Sequence, residues 1–229
     1  MIDRIRRVVS LALVALLFAS PALRADVTLP SILGSGMVLQ RDMPVPVWGW
    51  ADKGEKVTVT FAGQTKTATA GDDGKWIVKL DKLKASAEGA TLTIKGNNTI
   101  ELTDVLVGEV WICSGQSNME WSITRSANPQ EEVANSDYPK IHLFNMQCHV
   151  VAPAPTEDCP GQWLVRSPKA SGGFSAVGYY FGRRLYKELD VPIGLVGSNW
   201  GGTRIEPWST YNGFKSVPDL EKLAEQVKK

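Results

Sequence analysis

Apolar positions crowd into one stretch of the chain: Val105, Leu106 and Val107, then Val110, Trp111 and Ile112, giving way to the small polar residues Ser114-Gly115-Gln116. Such a run of β-branched and bulky side chains, ending in small polar residues, predicts a buried strand leaving a sheet. Ser114-Gly115-Gln116 reads as a tight turn, and Ser117 to Trp121 as the first turn of a helix. Upstream, from Val27 to about Leu102, the pattern is short and two-fold. Predicted strands at Val45–Trp50, Lys56–Phe61, Thr65–Ala70, Lys75–Leu80, Thr91–Lys95 and Thr99–Leu102 are separated by Gly- and Asp/Asn-containing turns. That spacing predicts a small antiparallel sandwich or barrel-like module. Downstream, Lys140–Met146 and Ile193–Gly197 read as further strands of a parallel sheet. Between them Phe174, Val177, Phe181, Leu185 and Leu189 recur at helical spacing, with Arg183, Arg184, Lys187 and Glu188 turned outward. Asn128-Pro129 marks a polar loop, and Pro153, Pro155, Pro160 and Pro168 an irregular surface connection. A last helical pattern runs from Leu220 to Lys229.

These elements predict two folded parts behind a leader. Residues 1–25 combine Arg4, Arg6 and Arg7 with an apolar core, Val8–Ala19, of 12 residues. Such a core is short of the roughly 20 residues a spanning helix needs, and small residues follow it, as in a cleaved export signal. Residues 26–103 form the β-rich module. Residues 104–229 follow the order strand, helix, strand of an α/β domain. The expected setting is therefore an exported protein, periplasmic or secreted, with no stable membrane insertion once the leader is removed.

Charge narrows the partners. The 25 basic and 24 acidic residues leave a net charge of +1, which gives no electrostatic footprint for nucleic acid. Eight tryptophans suit a protein that stacks sugar rings, although tryptophans are also common in cores. Trp48, Trp50 and Trp76 fall in the β-rich module, which the sequence favours as a buttress over a glycan-binding unit in its own right. Of the three cysteines, Cys148 and Cys159 flank the proline-rich connection and export permits them to pair. Cys113, at the end of the apolar strand, reads as a buried free thiol.

The candidate chemistry lies at two turns on the carboxyl edge of the sheet. At the first, Ser117 stands where a strand passes into a helix, beside free backbone N–H groups that favour developing negative charge. It is either a nucleophile or a helix N-cap. At the second, Ser198-Asn199-Trp200-Gly201-Gly202-Thr203 follows the third strand. Gly201 and Gly202 could lend backbone N–H groups to an anion or simply make the turn. His142, inside a predicted strand, reads as a packed residue. His149 could ligate a metal, but two histidines make no zinc site.

The segment Gly108–Trp121, GEVWICSGQSNMEW, resembles the first sequence block of the sialate O-acetylesterase family of SGNH hydrolases. SNWGGTRIEPW, from Ser198, resembles the second block, and MVLQRDMPVPVWGWADKGEKVTV, from Met37, the family's amino-terminal module. The resemblance implies that Ser117 is the nucleophile. It implies an oxyanion hole from the N–H groups of Ser117 and Gly201 or Gly202, and substrate contacts at Gln116, Asn118, Trp200 and Glu206. It implies an acetylated sugar as substrate, with no metal and no cofactor.

The match is also partial. The family's general base lies in an Asp-x-x-His block near its carboxyl end, and no such block occurs here; a third block with an oxyanion asparagine is absent too. The 126 residues from Asp104 leave room for about three strands of a sheet that usually has five. The expectation is an incomplete SGNH-type α/β hydrolase domain, with an apolar sheet edge prone to association.

Overall fold

The computed structural model describes residues 26–147, 155–165 and 171–227. The leader, Cys148, His149, Pro153 and Pro168 lie outside them. Ten strands are present among these described residues. The first seven are β1 (Val38–Gln40), β2 (Val45–Trp50), β3 (Lys56–Phe61), β4 (Gln64–Thr69), β5 (Lys75–Leu80), β6 (Ser86–Lys95) and β7 (Thr99–Gly115). Then come helices α1 (Ser117–Glu120) and α2 (Pro129–Ala134), strands β8 (Ile141–Asn145) and β9 (Trp163–Val165), helix α3 (Ala176–Leu189), strand β10 (Ile193–Asn199), and helices α4 (Tyr211–Lys215) and α5 (Glu221–Val227). The Asn128-Pro129 loop of the sequence reading thus opens a helix: Pro129 takes its first position, where the missing N–H costs nothing.

The β-rich module is a sandwich. Strands β4, β3, β6 and the first half of β7 form one antiparallel layer and the β2–β5 pair the other. The alternation of β3 and β5 turns Val57, Val59, Phe61, Trp76, Val78 and Leu80 into a shared core. In the α/β part, β7, β10 and β8 run parallel in that order, with β9 antiparallel at the edge.

A single strand carries the chain from one part to the other. β7 continues through residues 103 and 104, where the sequence suggested a boundary. Its register against β6 shifts around Ala90, and Asp104 adopts φ 56°. Such a bulge bends and twists a strand, and here it redirects β7 from the sandwich into the parallel sheet.

Strand alternation then assigns the two faces of that sheet. Ile141, Leu143, Ile193, Leu195 and Cys113 face α3. Phe144 and Val196 join the core of the sandwich together with Trp163, whose indole N–H donates to Ile32 O at 2.8 Å. The module therefore acts as a buttress: it covers the sheet face opposite α3, so that β8 and β10 are shielded from water on both faces.

Helix α3 meets the sheet on a face that overlaps the predicted one only in part: Phe174, just before it, is buried and Leu185 packs against the core. Val177, Phe181 and Leu189 are exposed, while Ala176, Gly178, Tyr179 and Gly182 are buried. The two glycines explain it. A Cβ on Gly178 would sit 2.7 Å from Cys113 Sγ, and one on Gly182 2.6 Å from Leu195 Cδ1. Their bare backbone lets the helix come close enough for Cys113 and Leu195 to fill the gap. An apolar stripe cannot register a contact made by residues with no side chain. Arg183 is likewise not free in solvent: it is ion-paired with Glu132 at 2.7 Å.

The end of β7 is also less buried than its composition predicts. Trp111 is 43% exposed, leaning edge-on against Phe181, and Ile112 is 72% exposed. Glu109 N–H donates to Pro192 O, and Trp200 N–H donates to Gly115 O, so odd-numbered residues of β7 serve β10. Even-numbered residues face the other edge. There the Gln40 side chain accepts the Val110 N–H at 2.8 Å, and no strand follows among the described residues. An apolar open edge of this kind pairs readily with other chains. Ile112→Lys is therefore expected to lower self-association, measured by sedimentation velocity, while leaving the melting temperature within about 2 °C because the side chain is mostly solvated.

Cys113 is 4% exposed, and burial pushes its thiol up to about 11 from the ordinary 9.0. It stays a neutral thiol at physiological pH. Because the folded pKa is the higher one, its contribution to stability is intact below pH 9 and is lost as pH rises toward 11. Iodoacetamide is expected to leave Cys113 unmodified in the native protein at pH 8 and to alkylate it in denaturant, as read by peptide mass mapping.

Candidate active site

The apolar run of β7 ends at Gly115, whose φ of 146° lets the chain turn sharply into α1. Gln116 caps that helix through its carbonyl, which accepts the Glu120 N–H at 2.9 Å. Ser117 is thus the first helical residue and not the N-cap, so the structural role that the sequence left open for it falls to its neighbour. Its side chain is exposed, and its hydroxyl donates to Gln116 Oε1 at 3.2 Å. Helix α1 has only four residues, so the local field comes from its few free N–H groups and not from a long macrodipole.

Several contacts hold this turn in place. Met119 Sδ accepts from Ser175 Oγ, the N-cap of α3, at 3.3 Å. Arg125 donates to Glu120 O at 2.9 Å and lies over the Trp121 ring, while the Trp121 indole donates to Arg125 O at 2.8 Å. The serine therefore sits on a turn tied to α3 on one side and to the 3₁₀ turn Ile123–Arg125 on the other.

The parallel pairing of β10 with β7 brings the second turn alongside. Ser198 and Asn199 pair with Ser114 and Gly115, and the Trp200 N–H donates to Gly115 O at 3.0 Å. This places Gly201 beside the serine: a Cβ there would lie 3.6 Å from Ser117 Cα and 2.1 Å from Glu120 Oε2. Only a glycine can approach so closely. The Gly201 N–H donates to Glu120 Oε2 at 3.0 Å, so a carboxylate oxygen occupies the place beside Ser117 where this donor could hold an anion. Sequence reasoning did not single out Glu120; its position three residues after Ser117 was the available signal. Gly202 has φ 77° and makes the turn itself.

The remaining predicted residues spread around this pair. Gln116 touches the serine, Asn118 is exposed on α1, and Trp200 precedes Gly201. Glu206 stands in the 3₁₀ turn Glu206–Trp208, with its Oε2 buried and unpaired among the described residues. An orphaned carboxylate oxygen marks a place where a water or ligand belongs. Trp208 steadies this loop by donating to Thr203 Oγ1 at 2.8 Å.

A proton acceptor for Ser117 is not supplied by the described residues: no histidine or carboxylate hydrogen-bonds to its hydroxyl. His142 is 1% exposed, and its ring nitrogens contact Gly36 O and Pro139 O. It ties β8 to the module. No group of three or more acidic, histidine or cysteine side chains among the described residues could hold a metal, and no helix among them is long and apolar enough to cross a membrane. Cys159 is disulfide-bonded and Cys113 is free; the expected partner, Cys148, lies outside the described residues.

Comparison with known proteins gives this geometry a family. A carbohydrate acetylesterase from Xanthomonas citri superposes with a TM-score of 0.77 at 37% identity, over 80% of this chain and 42% of that one. The sialate O-acetylesterase of Homo sapiens is 33% identical over 229 aligned residues, 91% of this chain and 44% of its own length. The Rattus norvegicus sialate O-acetylesterase is 34% identical over 81% of this chain and 38% of its own. The chain therefore spans less than half the length of the relatives it matches. The description "Carbohydrate esterase, sialic acid-specific acetylesterase" fits residues 107–227, which take in both turns of the site, β7–α1 and β10–Gly202, and the chain belongs to that family.

Proposed function

We propose that this chain carries the nucleophile half of an exported serine esterase that removes O-acetyl groups from sialic acid or a related sugar. One observation carries the reading: Ser117 lies exposed at a strand-to-helix junction with the Gly201 backbone against it. Ser117 Oγ attacks the acetyl carbonyl and forms the C–O bond of an acetyl-enzyme. The carbonyl oxygen takes up negative charge and accepts N–H groups of Ser117 and Gly201. Collapse expels the sugar hydroxyl, and water then releases acetate. For Gly201 to serve, Glu120 must give up its hydrogen bond when substrate enters. Losing one oxyanion donor costs about 3 kcal/mol of barrier, so the position of Glu120 bears directly on rate.

A second reading, a catalytically inactive glycan-binding or structural protein, draws on the lack of a base beside Ser117 among the described residues. A serine hydroxyl without a base is a weak nucleophile near neutral pH. Loss of a triad member leaves roughly 10³–10⁴-fold acceleration over water, from binding and the oxyanion hole.

Labelling with a fluorophosphonate followed by peptide mapping separates the two. The expected adduct is on Ser117, absent in Ser117→Ala, with slow hydrolysis of 4-nitrophenyl acetate by the chain alone. An adduct confined to another serine refutes the nucleophile. Ordinary esterase turnover by this chain would show that one of its own side chains serves as base. Glu120→Gln is expected to raise the acetate release rate about tenfold with little effect on KM, since the amide competes less strongly for the Gly201 N–H than a carboxylate does.

A further inference from the structure

The two-stranded layer of the sandwich carries a cleft away from the Ser117 turn. In β2 and β5 the inward positions fill the core, so the outward positions form a separate strip. Trp48 pairs across the strands with Ile77, and Trp50 with Lys75. These residues line a cleft of about 520 Å³, within the roughly 300–1,000 Å³ of small-molecule sites. The sequence places Trp48, Trp50 and Trp76 in this module and favours a buttress, because no further aromatics join these three. The fold gathers them, and adds a residue from far along the chain. Glu157, in the connection between β8 and β9, closes one end of the cleft. Its carboxylate accepts from the Trp50 indole N–H at 3.2 Å and contacts the Lys75 ammonium. The neighbouring Asp158 accepts from Ser31 N–H at 2.8 Å and so anchors that connection to the module.

The chemistry of the walls selects a ligand class. Indole rings present negative faces that attract polarised C–H groups. Ile77, 54% exposed, extends the apolar surface. Lys75 and Glu157 neutralise one another, so the cleft holds no net charge with which to select an ion, yet its rim keeps a donor and an acceptor. Beneath it the Trp76 indole N–H is buried with no partner among the described residues, the mark of a place where a water or ligand group is wanted. Apolar walls with a polar rim match a pyranose ring, which has an apolar C–H face and a belt of hydroxyls.

We propose that the Trp48–Trp50–Ile77 cleft, closed by Glu157, binds neutral pyranose units of a glycan chain, giving the β-rich module a sugar subsite separate from the Ser117 turn. The ligand class follows from the acetylated-sugar reading above, but the site does not depend on Ser117 chemistry.

The test is calorimetric titration of the Ser117→Ala protein with neutral β-1,4-linked hexasaccharides of glucose, xylose and N-acetylglucosamine. Because this variant cannot turn over, a failure here is distinct from a failure of the esterase assignment. At least one hexasaccharide is expected to bind, and Trp48→Ala should weaken it tenfold or more. Ile77→Glu, at an exposed position that the fold does not need, should do the same with an unchanged melting temperature. Lack of binding by all three sugars overturns the proposal. So does affinity unchanged within threefold in both variants, or a tenfold preference for sialyllactose, which would assign the cleft to charged sugars.

Discussion

Everything in this fold hangs on β7 being one strand. Its first half is hydrogen-bonded into the sandwich and its second half into the parallel sheet, with the bulge at Asp104 turning it between them. The backbone ladders on either side of the bulge satisfy the polar groups of a long buried strand, which would otherwise be costly to desolvate. They also make the two layers mechanically continuous. The position of Gly115, and so of Ser117, is set by a strand gripped along much of its length and not by the local turn alone.

That grip explains how the module contributes to the site without touching it. Phe144, Trp163 and Val196 belong to the same core as Val57, Leu80 and Ile94. The face of the parallel sheet opposite α3 is packed by the sandwich, and His142 adds backbone contacts between β8 and the module. On the other face, Gly178 and Gly182 draw α3 against β7 and β10, and the cap of α3 holds Met119 of the serine turn. Two independent packings fix the two ends of one corner of the fold.

At that corner a carboxylate already occupies the glycine turn. The Gly201 backbone has reached the serine, yet its N–H is taken by Glu120. A charge-assisted hydrogen bond of this sort is roughly twice as strong as a neutral one, so any other acceptor for the Gly201 N–H has to displace a good one. The open edge beyond Val110 lies on the same strand, and the solvation of Ile112 shows that the cover provided by α3 and the module stops short of it.

Local patterns were enough for much of this. The period-two runs of β2, β3 and β5 coincide with the observed strands, and the apolar run ending in small polar residues located the β7–α1 junction and its serine, because both depend on residues close in sequence. The parallel strands β8 and β10 and the family blocks around Ser117 and Gly201 were legible for the same reason. The rest was decided by contacts between distant residues. The buried face of α3 is chosen by glycines that leave no hydrophobic signal. The continuity of β7 through residue 104 depends on β6 and β10 sharing one strand. The Glu120–Gly201 bond requires two turns 81 positions apart to converge, and the indole cleft requires Glu157 to fold back onto β2 and β5. Hydrophobic periodicity reports which side of an element avoids water; only the assembled fold decides what it meets there.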